Sequence, residues 1–392
     1  MRTLSMAWPL GLCLGLLSMT QAQAAEVTLS AEYRGEAEGR FHNTTRQAGF
    51  CAHWPSDCVG IETVGLPVSY IKRTEVEASD PRDRFFIQVP GRRNLQVTHT
   101  QTGETYPLSL EIQAVSQQVV MRGLANPVFT RYPRGGCTYR RTFSAGPWTM
   151  YLWDLKNPAA PQACNSGGYE AKAGDVYTVR VQELAISYRL SMPSPLSMKP
   201  GLFRGHLDYS IGPGGDFDFG NDVTNLNTDQ LRVNFELDVQ HAFVIDFPAG
   251  SERVVLEPPN GWLQWLNRGH PPQRLYRDMP MRIWSSGPFK AYKLCQYPVG
   301  GQCGIRNAAG HEVPVAVAVS LPSGIRSQGR EVRRLELPSE KSAALAFEAQ
   351  QAVFNRSASL HFDVAREPVK EMLKHPGSTY RGDVTVVFDA DI

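Results

Sequence analysis

No Cys-x-x-Cys, His-Glu-x-x-His, Gly-x-Ser-x-Gly, Gly-Lys-Ser/Thr or Gly-x-Gly-x-x-Gly pattern occurs in the 392 residues. That removes the common signatures of zinc sites, serine hydrolases, P-loop enzymes and dinucleotide binders. Acid and base nearly cancel, with 40 Lys and Arg against 38 Asp and Glu. A net charge of +2 excludes a polybasic nucleic-acid binder on bulk charge. Past the first residues, no apolar run approaches the length of a membrane span. Helix signals are sparse as well. The best is 366–374, where Pro368 suits a first turn and the segment gives two turns at most.

What is present points to strands. Apolar residues make up 42% of the chain and charged residues 20%, enough to bury sizeable cores. The 34 glycines and 28 prolines punctuate the chain far more than a helical protein tolerates. In 231–247, Leu231, Val233, Phe235, Leu237 and Val239 alternate with polar residues, and Phe243, Ile245 and Phe247 continue the same phase. A period of two means one buried and one wet face. Seventeen residues is long for one strand, so a bend is expected near His241, itself expected to point inward. Similar alternation marks Phe203/Leu207/Tyr209/Ile211, Val313/Val315/Val317/Val319 and the segment 380–388. Short, turn-rich strands of this kind predict an all-β protein of two β-sandwich domains in tandem.

Residues 1–24 read as a secretory signal, with Arg2, an apolar stretch over 4–19 and a small-x-small site at Ala22-Gln23-Ala24. Six cysteines follow it: Cys51, Cys58, Cys137, Cys164, Cys295 and Cys303. An even number in a secreted chain suggests disulfides. Fifteen connectivities are open, and the sequence-local set Cys51–Cys58, Cys137–Cys164 and Cys295–Cys303 is preferred because short loops close at low entropic cost. Three prolines in 192–201 read as a stiff connector, which places an N-terminal domain at 25–198, the end of the linker at 199–201 and a second domain at 202–392.

No metal or cofactor is expected. Asp216, Asp218 and Asp222 hint at a calcium loop, but Gly220 and Asn221 stand in the wrong order for one. One region is compositionally odd. From Ile112 to Trp153 there is no Asp or Glu, while Arg131, Arg134, Arg140 and Arg141 lie among Tyr139, Trp148 and other aromatics. Arginine forks bind carboxylates and sulfates at two points and stack on rings, so these six residues are the candidate binding site for an anionic glycan or acidic protein. The competing reading is a solvated face whose arginines pair with acids elsewhere in the chain.

At Gly261-Trp262-Leu263-Gln264-Trp265-Leu266-Asn267-Arg268-Gly269 the chain resembles the colonization factor antigen I fimbrial tip adhesins, the CfaE/CblD-like minor pilins. Asn234-Phe235-Glu236-Leu237, the Cys295…Cys303 pair ahead of His311-Glu312-Val313-Pro314, and Tyr380-Arg381-Gly382-Asp383-Val384-Thr385 fit in order. The likeness covers most of 202–392. It implies immunoglobulin-like sandwiches, the second lacking its last strand. It further implies a periplasmic chaperone, an outer-membrane usher, a major pilin as strand donor and a host-cell glycan or glycoprotein receptor. The expected route runs through the periplasm to a fimbrial tip, with neither catalysis nor nucleic-acid binding. The alternatives are a non-adhesive pilin that only starts the fibre and a secreted all-β glycan-active enzyme. The latter needs paired carboxylates, which 112–153 lacks.

Overall fold

A computed structural model describes residues 24–121, 130–168 and 172–390. Most of the secretory-signal segment therefore lies outside the described residues. Nearly everything described is strand or turn. Among the described residues the α-helices are Phe50–His53, Leu263–Arg268 and Arg366–Leu373, the last where the sequence expects one. The all-β expectation of tandem sandwiches holds.

The alternating segments fold as their periods dictate. Along Gln230–Gln240 the apolar residues are buried and the polar ones half-exposed, and Val313, Val315, Val317 and Val319 do the same along Glu312–Ser320. The long 231–247 pattern breaks at His241, where Gln230–Gln240 ends and Phe243–Asp246 begins. His241 is buried, and its Nε2 donates to the Met198 carbonyl at 2.8 Å. Gly287 lies against the same ring: a Cβ there would sit 2.3 Å from it, so only glycine fits.

The first core is enclosed by a twelve-stranded sheet. Its two longest strands, Thr105–Met121 and Val176–Ser191, pair antiparallel along most of their length. One edge of Thr105–Met121 serves two strands end to end, Arg93–His99 and then Trp148–Leu155. Cys137–Ala145 is added outside Trp148–Leu155 as an edge strand. On the far side of the sheet Gly201–Ser210 pairs with Gln230–Gln240, and Ala25–Arg34 lies parallel to the latter, with Leu29 opposite Phe235 and Ala31 opposite Leu237.

This arrangement moves the domain division. The sequence reading put it at 198/202. Yet Phe203, Tyr209 and the whole apolar row from Leu231 to Val239 belong to the first core, and Met198 of the Pro-rich segment is fully buried in it. The second core starts with Phe243. The Asn234-Phe235-Glu236-Leu237 string therefore sits in the first sandwich. The reason is that alternation runs in unbroken phase through His241, so the pattern marks the inward face but not which core it faces.

The second core lies between two sheets. One runs Phe243–Asp246, Leu275–Ser285, Val353–Val364, Glu312–Ser320, Gln302–Arg306 and Pro298–Val299; the other runs Arg330–Glu331, Ile325–Ser327, Leu345–Ala349, Phe289–Cys295 and Val384–Asp389. All three sequence-local disulfides are formed. Two pin the first sandwich, and Cys295–Cys303 ties the two sheets of the second.

Candidate functional sites

The strand Cys137–Ala145 carries three of the six candidate binding residues, Tyr139, Arg140 and Arg141; Trp148 lies on the neighbouring strand, and Arg131 and Arg134 come earlier in the chain. Arg134 precedes the strand and forks onto Glu77, with Nη1 and Nη2 donating at 2.6 and 2.8 Å. That contact, with a bond from the Gly168 N–H, holds the Glu77 carboxyl below the ordinary carboxylate range. Arg140 Nε donates to both oxygens of Asp154 at 2.8 and 2.9 Å. Arg141 reaches Asp57 at 3.6 Å. Arg131 is exposed and makes no ion pair among the described residues. Tyr139 is exposed, while Trp148 is half-buried. Three of the four arginines thus turn to three different carboxylates.

The carboxylate-free window is thus free of carboxylates only along the chain. Folding brings Glu77, Asp57 and the residue just past the window, Asp154, onto three of the four candidate arginines. An exposed, salt-screened ion pair contributes little to stability, but it cancels the local field that would draw an anion. The expectation of an anionic ligand loses its electrostatic basis at Arg134, Arg140 and Arg141.

Two other features were not legible in the sequence. The first is an aromatic satellite core on the outer face of the large sheet. The Cys51–Cys58 loop lays Phe50 and Trp54 over Met150 and Leu152, and the Trp54 ring lies tilted 4.5 Å from Phe143, which is itself 6.0 Å from Trp148. The second is a cleft of about 370 Å³ on the same face, lined by Glu62, Gln113, Arg140, Asp154, Ser187 and Arg189 among others. Of these only Arg140 stood out in the sequence, because the others reach the cleft from four further strands.

The second sandwich has a different kind of site. Val384–Asp389 pairs on one edge with Phe289–Cys295, and Phe243–Asp246 pairs on one edge with Leu275–Ser285. Among the described residues neither has a strand on its other edge. The two open edges face each other across the end of the core: the Phe243 and Phe388 rings are 6.5 Å apart, and both contact Phe289. Phe243, Ile245, Val384, Val386 and Phe388 all turn toward the core yet remain half-buried. An unpaired edge beside half-covered apolar side chains is a template for an added strand. Deeper in, Lys293 is fully buried, its Nζ 3.4 Å from Glu336, and burial pushes its pKa down.

The Gly-Trp-Leu-Gln-Trp string forms the short helix Leu263–Arg268, closed by Gly269 in the left-handed conformation. Leu263 and Leu266 are largely exposed, and Trp262 and Trp265 partly so.

No protein-family model matches the chain, and no curated protein matches it in sequence. Among solved structures it is similar to a chain of a chaperone–tip adhesin complex of CFA/I fimbriae biogenesis, at 9% identity over 94% of this chain and 97% of that one, with a TM-score of 0.27. It is similar also to a mutant of the CFA/I enterotoxigenic E. coli adhesin CfaE, at 10% identity over 93% and 92% of the two chains and a TM-score of 0.27. A third is the CsuC–CsuE chaperone–tip adhesion subunit complex from archaic Csu pili of Acinetobacter baumannii, at 10% identity over 93% and 98% and a TM-score of 0.23. These likenesses are remote, and the residues and geometry above carry the reading that follows.

Proposed function

We propose that this protein is a fimbrial tip adhesin. Its first sandwich binds a receptor on a host cell or surface, and its second accepts a strand from the next pilin. The observation that carries this reading is the pair of open edges, Phe243–Asp246 and Val384–Asp389, flanking half-buried Phe243, Ile245, Val386 and Phe388. A donated strand supplies main-chain partners to an open edge and covers those side chains. Before assembly a periplasmic chaperone fills the same place, since an exposed edge with an apolar cleft promotes aggregation. An outer-membrane usher then hands the subunit to the growing fibre, and the chain ends up at the cell surface. We propose no catalytic role.

A tip location is tested by labelling. Antibody–gold directed at the first sandwich is expected at fibre ends and nowhere else. Labelling along the shaft, or fibres of normal number and adhesion in cells lacking the protein, counts against the reading.

A further inference from the structure

Two residues are turned out of register on the outer face of the large sheet, and both line one cleft. Between Cys137–Ala145 and Trp148–Leu155, Tyr139 opposes Trp153 and Arg141 opposes Leu152, so Arg140 is an extra, bulged residue. Between Thr105–Met121 and Val176–Ser191, Ala114 opposes Ser187 and Ile112 opposes Tyr188, so Gln113 is the extra residue there. A β-bulge costs a ladder bond and re-aims a side chain, which is why bulges gather beside functional sites. Two of them on neighbouring strand pairs deliver Arg140 and Gln113 to the same cleft.

The charges of that cleft balance. Arg140 is forked against Asp154, and Glu62 and Arg189 complete the lining without an ion pair of their own among the described residues. Two arginines and two carboxylates give the lining no net charge, so an anion gains nothing from it overall. A hydroxyl is different, because it donates and accepts at once. An arginine N–H beside a carboxylate oxygen matches two adjacent hydroxyls, one accepting from Arg140 and one donating to Asp154. The Gln113 side chain adds an amide, whose nitrogen already donates to Glu111 at 2.8 Å. At about 370 Å³ the cleft stands near the small end of ligand sites, which run to roughly 300–1,000 Å³, and so suits a single ring.

We infer that this cleft binds a neutral, hydroxyl-rich ligand, the terminal hexose of an uncharged glycan, through Arg140, Asp154 and Gln113. The inference rests on the adhesin reading and narrows it, replacing the anionic receptor with a neutral one.

The test uses the full secreted chain, methyl glycosides of galactose, mannose and glucose, and the methyl glycoside of N-acetylneuraminic acid. Saturation-transfer NMR and calorimetric titration report binding. At least one neutral glycoside is expected to bind, with affinity insensitive to salt. Asp154→Asn and Gln113→Ala should each weaken it about tenfold, the effect of losing one good hydrogen bond. Arg134→Ala, outside the cleft, should leave it unchanged. Circular dichroism and intact disulfides confirm folding, and Gln113→Ala removes only a half-buried side chain.

Preference for the sialoside with steep salt dependence overturns the inference, as does full binding by both cleft variants. A parallel adhesion assay on glycoprotein-coated surfaces separates the two readings. If the unaltered chain adheres and the cleft variants adhere equally, the cleft is wrong and the adhesin reading stands. If the unaltered chain adheres to nothing, the adhesin reading itself falls.

Discussion

Among the described residues the first core buries 38 apolar side chains with 12 more half-buried around it, whereas the second buries 19 with 14 around it. Size explains part of the difference, because a small sandwich has proportionally more surface. The rest lies at particular strands. In the first sandwich Ala25–Arg34 lies parallel on the edge of Gln230–Gln240 and turns Leu29, Ala31 and Tyr33 into the core, each almost wholly buried. In the second, no described strand covers Phe243–Asp246 or Val384–Asp389, and the inward residues of both stay half-exposed. The covered edge and the open edge carry the same alternating pattern, and only its burial differs.

Phe388→Asp breaks the comparison most severely. A carboxylate placed where the proposed added strand would seal the groove carries a desolvation cost of several kcal/mol. Strand binding is therefore expected to weaken by about a hundredfold or more, on the conversion of 1.4 kcal/mol per tenfold. The first sandwich should unfold as before. Calorimetry with an added strand peptide reads both parts.

Next come paired truncations. Phe235→Ala empties a fully buried site in the closed core and should cost about 3–5 kcal/mol. Val386→Ala removes a half-buried side chain from the open core and should cost about 1 kcal/mol until the strand is bound. If the two costs are equal without a strand peptide, the second core is already closed.

How much of this was legible beforehand differs between the two regions. The alternation of 231–239 and 313–319, the helix near 366–374 and the disulfide pairs follow from local pattern, and all are present. The open-edge strand Val384–Asp389 was also visible as alternation near the end of the sequence. What local pattern cannot carry is which segments meet. The continuous phase through His241 concealed the change of core. The partners of the arginines lie far off, Glu77 57 residues from Arg134, for example. The bulges at Arg140 and Gln113 are properties of strand pairs, and neither strand announces them alone.

The smallest expected effect concerns pH. Lys72 is fully buried in the first sandwich, its Nζ donating to the carbonyls of Arg82 and Asn221, and burial pulls its pKa down to about 8. An unfolded lysine keeps its proton to about pH 10.4, so between these values the unfolded chain binds more protons and stability rises with pH. Below pH 8 the burial cost stands in full. The first transition should gain on the order of 1 kcal/mol between about pH 8 and 9.5, before tyrosines charge. Lys72→Met should flatten this slope. A first transition that falls with pH over the same window contradicts the assignment.

The central claim is that the second sandwich is open and the first is closed. It is tested most directly by thermal unfolding of the full chain with and without a peptide copied from the N-terminal extension of the pilin proposed as strand donor. Covering the five half-buried side chains should contribute on the order of 5 kcal/mol, and so raise the second transition by roughly 10 °C or more. The first transition should not move. A second transition unchanged by every such peptide, or a shift in the first alone, would contradict the account.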